Sequence, residues 1–297
     1  MKKMFLAVLS IALCLIFVAA CGADNQQKAD NVLVDVLGNE LVIDQPYERI
    51  VSISPAATEI LYAIEADEYL LANTIYCDYP AEANNKPKIG DFSDPNIELI
   101  MSYEPQLVLT ASLEQEDIVN RLQELGINVF CLDAYNVQDV LKNIEMVGII
   151  TGQEAEARQL LAEMNTVMAD IKTKVAAQTE KPDVFVEIWN DPLMTVGGNS
   201  FINDMVEMAG GHNIAADLEM EYPQFSKEQL LSIDPDVYLL VGHDRSVDEV
   251  TKIEGFSALS AVKNQRVYII EDDFLTICGP RIIDGMEALF NAFYPQK

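Results

Sequence analysis

The sequence predicts an α/β protein: two lobes with parallel sheets joined by a single long helix, and a ligand cleft between the lobes. Three features carry this expectation. Short apolar, β-branched runs alternate with helical patterns in two separate sets, as parallel α/β units do. A stretch without Gly or Pro, residues 153–180, separates the sets. Two blocks set 130 residues apart repeat the same order of residue types.

The elements follow in chain order. Residues 33–43 (LVDVLGNELVI) form a small hairpin with Gly38-Asn39 at the turn, since Asn and Gly accept the positive φ of tight turns. The first central strand covers 49–53. Ser54 can cap the helix that follows, and Pro55 suits its first turn. Strands at 107–109 and 129–132 complete the first set; strands at 183–188, Val237–Val241 and Val267–Ile270 make the second. Between the sets, Leu160, Leu161, Met164, Val167, Met168, Ile171 and Val175 recur at helical spacing. At about 1.5 Å per residue this helix spans roughly 42 Å, a stiff spine between two lobes. Lys181-Pro182 ends it, because proline disfavours helical backbone at the preceding residue. The organisation is a leader at 1–20, a polar tether at 21–32, an N-terminal lobe at 33–152, a connecting helix at 153–181 and a C-terminal lobe at 182–297.

The repeat lays Glu98 on Glu228, Ser102 on Ser232, Glu104-Pro105 on Asp234-Pro235 and Leu107 on Val237. The same offset carries Phe92 onto Tyr222. A pseudo-symmetric pair of lobes, with matching aromatics and matching glutamates, leaves a cleft in which ligands usually bind.

The chain starts Met1-Lys2-Lys3, followed by an apolar stretch from 4 to 20. A positive start, an apolar middle and small residues before a cut make a secretory signal. Val18-Ala19-Ala20-Cys21 is similar to the lipobox of bacterial lipoproteins, which implies that Cys21 is lipidated and becomes the first mature residue. The protein is then extracytoplasmic and lipid-anchored to the cell membrane, a diacylglyceryl group being the durable tether.

The formal net charge of the 297 residues is −29; loss of Lys2 and Lys3 with the leader takes the mature chain to about −31. So acidic a surface repels nucleic acid and anionic lipid head groups, which leaves the lipid as the sole membrane contact. Of five cysteines, Cys77, Cys131 and Cys278 lie beyond the lipid site, and no CxxC occurs. At most one disulfide can form among them. There is no GxSxG elbow, and Ser54 and Ser226 precede helices as caps. His212 and His243 lack metal-ligand spacing. No metal site or cofactor of the protein's own is expected, although a ligand can carry cobalt or iron.

The segments RIVSISPAATEILYAI, YCDYPAEANNKPKIGDFSDPNIELIMSYEPQLVLT, AGGHNIAAD, YPQFSKEQLLSIDPDVYLL and GPRIIDGMEALF resemble the periplasmic binding proteins of ABC importers for cobalamin and ferric siderophores, over about residues 49–293. Within that family Tyr76-Cys77-Asp78-Tyr79-Pro80 and Tyr222-Pro223-Gln224-Phe225-Ser226 look closest to cobalamin binders. The resemblance implies a non-enzymatic, monomeric protein that binds a corrinoid or ferric siderophore and delivers it to a permease dimer with its ATPase subunits. It places Tyr76, Phe92 and Tyr222 on the cleft, two of them where the family often has Trp. It points Arg281 into the cleft toward an anionic group, or leaves it in a rim salt bridge. Trp189 faces the cleft or packs in the core. Haem stays open as a ligand through Tyr76, Tyr79, Tyr222 or His243. The resemblance gives Glu98 and Glu228 the role of pairing with permease arginines, the alternative being two solvated helix-terminal charges.

Overall fold

A computed structural model describes residues 31–110, 115–242 and 245–295. The leader, the lipobox with Cys21 and His243 therefore lie outside the described residues. The chain first forms the expected hairpin, β1 (Val32–Val34) against β2 (Glu40–Val42), with Val32 opposite Val42. Gly38 takes the turn at φ 83°. The buried Asp35 carboxylate accepts from the amides of Leu37 and Asn39, and also from that of Cys131 at 2.9 Å. That last bond fastens the hairpin to the N-terminal sheet.

Strand β3 (Ile50–Ser52) is fully buried and leads into α1 (Pro55–Ala63), where Ser54 Oγ accepts from the Ala57 amide at 3.2 Å. Next come β4 (Leu70–Asn73), α2 (Ile97–Ser102), β5 (Leu107–Thr110), α3 (Glu116–Glu124), β6 (Asn128–Cys131) and α4 (Val137–Thr151). The sheet order is β4-β3-β5-β6, all parallel. β4 is an element that the sequence reading lacks: its run, Leu-Leu-Ala-Asn, has no β-branched residue and becomes a strand by pairing with β3.

The spine is α5 (Glu154–Ala176). It stops short of residue 180: the amides of Ala177 and Gln178 close back on Lys174 and Val175, and Pro182 follows. Its 23 residues span roughly 35 Å rather than 42 Å. Gly152, at φ 73°, makes the sharp turn from α4, and a Cβ there would lie 2.8 Å from Pro46. The chain passes between the two sheets once, through α4 and α5.

The C-terminal lobe contains β7 (Asp183–Asn190), β8 (Leu193–Thr195), α6 (Phe201–Met208), β9 (His212–Asn213), α7 (Lys227–Ile233), β10 (Val237–Val241), α8 (Val247–Thr251), α9 (Ser260–Lys263), β11 (Val267–Ile270), α10 (Asp273–Thr276) and α11 (Ile282–Phe293). The order is β11-β10-β7-β8, with β9 beside β7. β8 runs antiparallel to β7, so this sheet is mixed rather than wholly parallel.

The repeat is physical. Ile50 pairs with Leu107 in one lobe and Val184 with Val237 in the other. Gln106 Oε1 accepts from the Arg49 amide at 3.1 Å, and Asp236 Oδ2 from the Asp183 amide at 3.0 Å. Glu104 and Asp234, each before a proline, both sit in the left-handed region at φ 48° and 58°. Proline disfavours right-handed helix at the residue before it, so each helix ends with the same turn into its strand.

Each sheet packs an outer face on a local core, Val51, Ile100 and Val108 in one lobe, Phe185, Tyr238 and Phe256 in the other. The inner faces share one apolar cluster that runs from Ile60 and Phe130 through Met164 and Ile171 of α5 to Leu239 and Phe290. Met164 and Ile171 are 0 % and 1 % exposed. Met164→Ala is therefore expected to destabilise the whole molecule by about 2–5 kcal/mol as a cavity mutation. Urea unfolding should shift as one transition for both lobes; a loss below ~1 kcal/mol, or the unfolding of one lobe alone, would contradict the shared core.

Candidate functional site

Ligands of open parallel sheets collect beyond the carboxyl ends of the strands. Here both sheets direct those ends to one cleft. Ser54 follows β3, Tyr76 follows β4, Asp133 to Tyr135 follow β6, and Leu275 to Cys278 follow β11. Together with Asp91 and Phe92 on one side and Asn199, Glu221 and Tyr222 on the other, they enclose a cavity of about 750 Å³.

Three of the expected aromatics meet there. Tyr76, Phe92 and Tyr222 all line the cavity, Phe92 from the N-terminal lobe and its repeat equivalent Tyr222 from the C-terminal lobe. Tyr76 and Tyr222 are 54 % and 41 % exposed, so their rings are available to a ligand. Tyr76 Oη donates to Asp91 at 3.3 Å. The side-chain Nε2 of Gln115 donates to the Phe92 carbonyl at 2.8 Å and to that of Ile53 at 3.2 Å, which fixes the Phe92 loop to the sheet. Tyr135 and the buried Phe201 are two further lining aromatics that the sequence reading missed; of these Tyr135 is the exposed one. Its signal was present: an aromatic just beyond the carboxyl end of a parallel strand. Burial, then Asp133 and Glu221, raise its phenol pKa above the ordinary value, so it stays protonated.

Two expected residues stand elsewhere. Trp189 neither faces the cavity nor packs in the core. It is 53 % exposed at the end of β7, with its indole N–H donating to the Asp191 carbonyl at 3.0 Å. Arg281 is not a lining residue, nor is its salt bridge on the rim. Its side chain is 11 % exposed and its guanidinium is held by Glu59 of α1, Nε at 3.1 Å and Nη2 at 2.5 Å from the same oxygen. Asp273 accepts from Nη2 at 3.0 Å, and the Tyr79 ring lies 4.1 Å below the guanidinium. Glu59 is 3 % exposed and lies one turn along α1 from the lining residues Pro55 and Ala56. The pair thus bridges the lobes directly behind the cavity wall. Burial opposes the charge on Arg281, but Glu59 and Asp273 outweigh it and hold the guanidinium protonated.

His212 pairs with Asp183 at 2.7 Å at the far end of β7. Among the described residues no cluster of three or more His, Cys, Asp or Glu is placed to hold a metal ion. Cys77, Cys131 and Cys278 are free thiols. Cys278 lines the cavity, and burial, reinforced by Asp133 and Asp139, pushes its pKa up to about 12. Glu98 and Glu228 are exposed in the first turns of α2 and α7, two residues after caps by Asn96 and Ser226. The backbone amide of Glu228 and the Ser226 hydroxyl hold the Glu228 carboxyl below the ordinary range.

Arg281→Met should cost about 3–5 kcal/mol at neutral pH, because it strands a buried carboxylate. Burial already raises the Glu59 pKa in the intact pair, with Arg281 opposing it; stranded, the group rises further above its unfolded value of about 4.3, so the added penalty is small near that value and grows as pH rises toward the folded pKa. Denaturant titrations should therefore find the variant closer to wild type at pH 5 than at pH 8. An equal deficit at both values would show that Glu59 is not left charged and buried.

Many proteins resemble this chain, among them the following three. An ABC transporter substrate-binding lipoprotein, YvrC of Bacillus subtilis (strain 168), is 32 % identical over 312 residues, covering 99 % of this chain and 98 % of the relative. The crystal structure of the periplasmic vitamin B12 binding protein BtuF of Vibrio cholerae superposes with a TM-score of 0.75 at 26 % identity, over 84 % of this chain and 97 % of that one. The periplasmic heme-binding protein RhuT from Roseiflexus sp. RS-1 does so with a TM-score of 0.73 at 26 % identity, over 84 % and 98 %. Residues 50–274 match the pattern of the family described as periplasmic binding protein. With two α/β lobes on one helix, a cleft between them and this match over most of its length, the chain belongs to the periplasmic binding protein family.

Proposed function

We propose that the protein is a solute-binding lipoprotein, tethered outside the cytoplasmic membrane through Cys21, that captures a corrinoid in this cleft and delivers it to an ABC importer. One observation carries the reading: an open cavity of about 750 Å³ with aromatic rings on both walls. A corrin is broad and largely apolar on its faces, and aromatics cover such a surface at little entropic cost. Tyrosine can also ligate iron, and Tyr76, Tyr135 and Tyr222 line the cavity. That favours haem or a ferric siderophore as the second reading. Calorimetry with cyanocobalamin, dicyanocobinamide, hemin and ferric hydroxamates separates the two. Binding of either corrinoid is expected, weakened about ten- to a hundredfold by Tyr76→Ala, Phe92→Ala or Tyr222→Ala through lost apolar contact. No heat with either corrinoid would end the first reading.

Delivery requires a docking surface, and Glu98 and Glu228 suit it. They stand at matching N-terminal turns of the two lobes, exposed, with Glu228 favoured as the anion. Two equivalent charges fit a permease of two like subunits, whose arginines they would pair. Charge pairs of this kind steer and register partners more than they add affinity. Glu98→Ala and Glu228→Ala should leave ligand binding by the soluble protein unchanged and impair uptake, the double variant more than either single one. Normal transport by the double variant would remove both from the docking surface.

A further inference from the structure

The lining of the cleft carries charge of one sign. Asp91, Asp133 and Glu221 line the cavity, and among the described lining residues none is Lys, Arg or His. Two cations of the surrounding structure are committed elsewhere. Arg281 is held by Glu59 and Asp273. Lys88, beneath the loop that carries Tyr76, gives its ammonium to Asn73 Oδ1 at 2.9 Å and to the carbonyls of Cys77 and Ala83 at 2.9 and 3.2 Å. The Asp91 carboxyl accepts from the amide and hydroxyl of Ser93, both at 2.9 Å, which lowers its pKa and keeps it ionised. Tyr135 reports the same field, since Asp133 and Glu221 add to the burial that disfavours its phenolate. The carboxylates stand among aromatic faces: Asp91 receives the Tyr76 hydroxyl, and Glu221 adjoins Tyr222 in sequence. Carboxylates beside open aromatic rings attract cations by direct charge and by cation–π contact. They repel an anion twice over, once locally and once through a chain whose net charge is −29.

From this lining we infer that the cleft selects its ligand by charge and takes a cationic form in preference to a neutral one and a neutral form in preference to an anion. Resting on the corrinoid reading, this names the preferred cargo as a corrinoid whose positive charge no phosphate or free carboxylate cancels. It also sets the cleft against haem, whose two propionates would meet no cation among the described lining residues, and against ferric catecholates.

A charge series on one ring tests this. Cyanocobalamin, its monocarboxylate and the ethylenediamine amide of that monocarboxylate share the corrin and both axial ligands, and differ as neutral, anion and cation. Calorimetry at low and physiological salt should rank cation, neutral, anion, with steps of about three- to tenfold at low salt that shrink as salt screens them. The pair Asp133→Asn with Glu221→Gln should flatten the series, bringing the ratio of cation to anion affinity toward one, with wild-type circular dichroism and thermal unfolding as the check that the fold is intact; a ratio unchanged in the folded double variant would overturn the assignment of charge selection to this lining. Three equal affinities, or the anion binding tightest, would overturn the charge inference and leave the corrinoid reading standing. Should no corrinoid bind, ferrioxamine B, a cation, and its N-succinyl derivative, an anion, repeat the comparison. Preference for the cation would then uphold charge selection while the corrinoid reading falls, and preference for the anion would sink both.

Discussion

The arrangement of this molecule depends on one buried ion pair. Arg281 of the C-terminal lobe reaches Glu59 of α1 in the other lobe, with Asp273 and the Tyr79 ring completing its surroundings. Each of these groups would be costly to bury alone, and together they make the junction possible. The pair sits behind the cavity wall, so it sets the spacing of the two lobes at the depth where a ligand would rest. A second bond across the junction, from the Val137 amide to Asp204 at 2.9 Å, works in the same sense. With an apolar cluster continuous through α5, the lobes form one body with a groove. Capture then relies on a surface already in place rather than on a large closing movement.

The repeat explains why the groove has two similar walls. Equal positions in the lobes carry equal devices: a capped helix, a left-handed residue before proline, a strand that ends at the cleft. Phe92 and Tyr222 face the ligand space because their loops are equivalent, and Glu98 and Glu228 face outward for the same reason. The lobes have diverged where one strand reverses, β8 against β4, and this changes the edge of a sheet without disturbing the strands that feed the cleft.

Much of this was legible in the residues. Strands that feed a core announce themselves as short apolar runs, so β3, β5, β6, β7, β10 and β11 were all found. The spine was plain because Met164 and Ile171 recur on one face with nothing to break it. What escaped was set by tertiary context. β4 has the composition of a helix and becomes a strand through its neighbour. The last turn of the spine had the right pattern and lost to a cap. The aromatics of the cleft could be named from the sequence, since they sit in loops that sequence order fixes. Arg281 could not be placed, because its partner lies 222 residues away. A lone arginine among many acids looks the same whether it waits for a ligand or already holds one of them.

The free thiol on the cavity wall has a consequence for whatever occupies it. With its pKa pushed up to about 12, Cys278 stays protonated at neutral pH. A thiolate reduces and ligates metals, and a cargo built around cobalt or iron would be exposed to both reactions. The protonated thiol does neither at an appreciable rate. The thiol on this wall is therefore held back from a metal-centred cargo, and contact with such a cargo is left to the phenol and carboxylate groups of the lining.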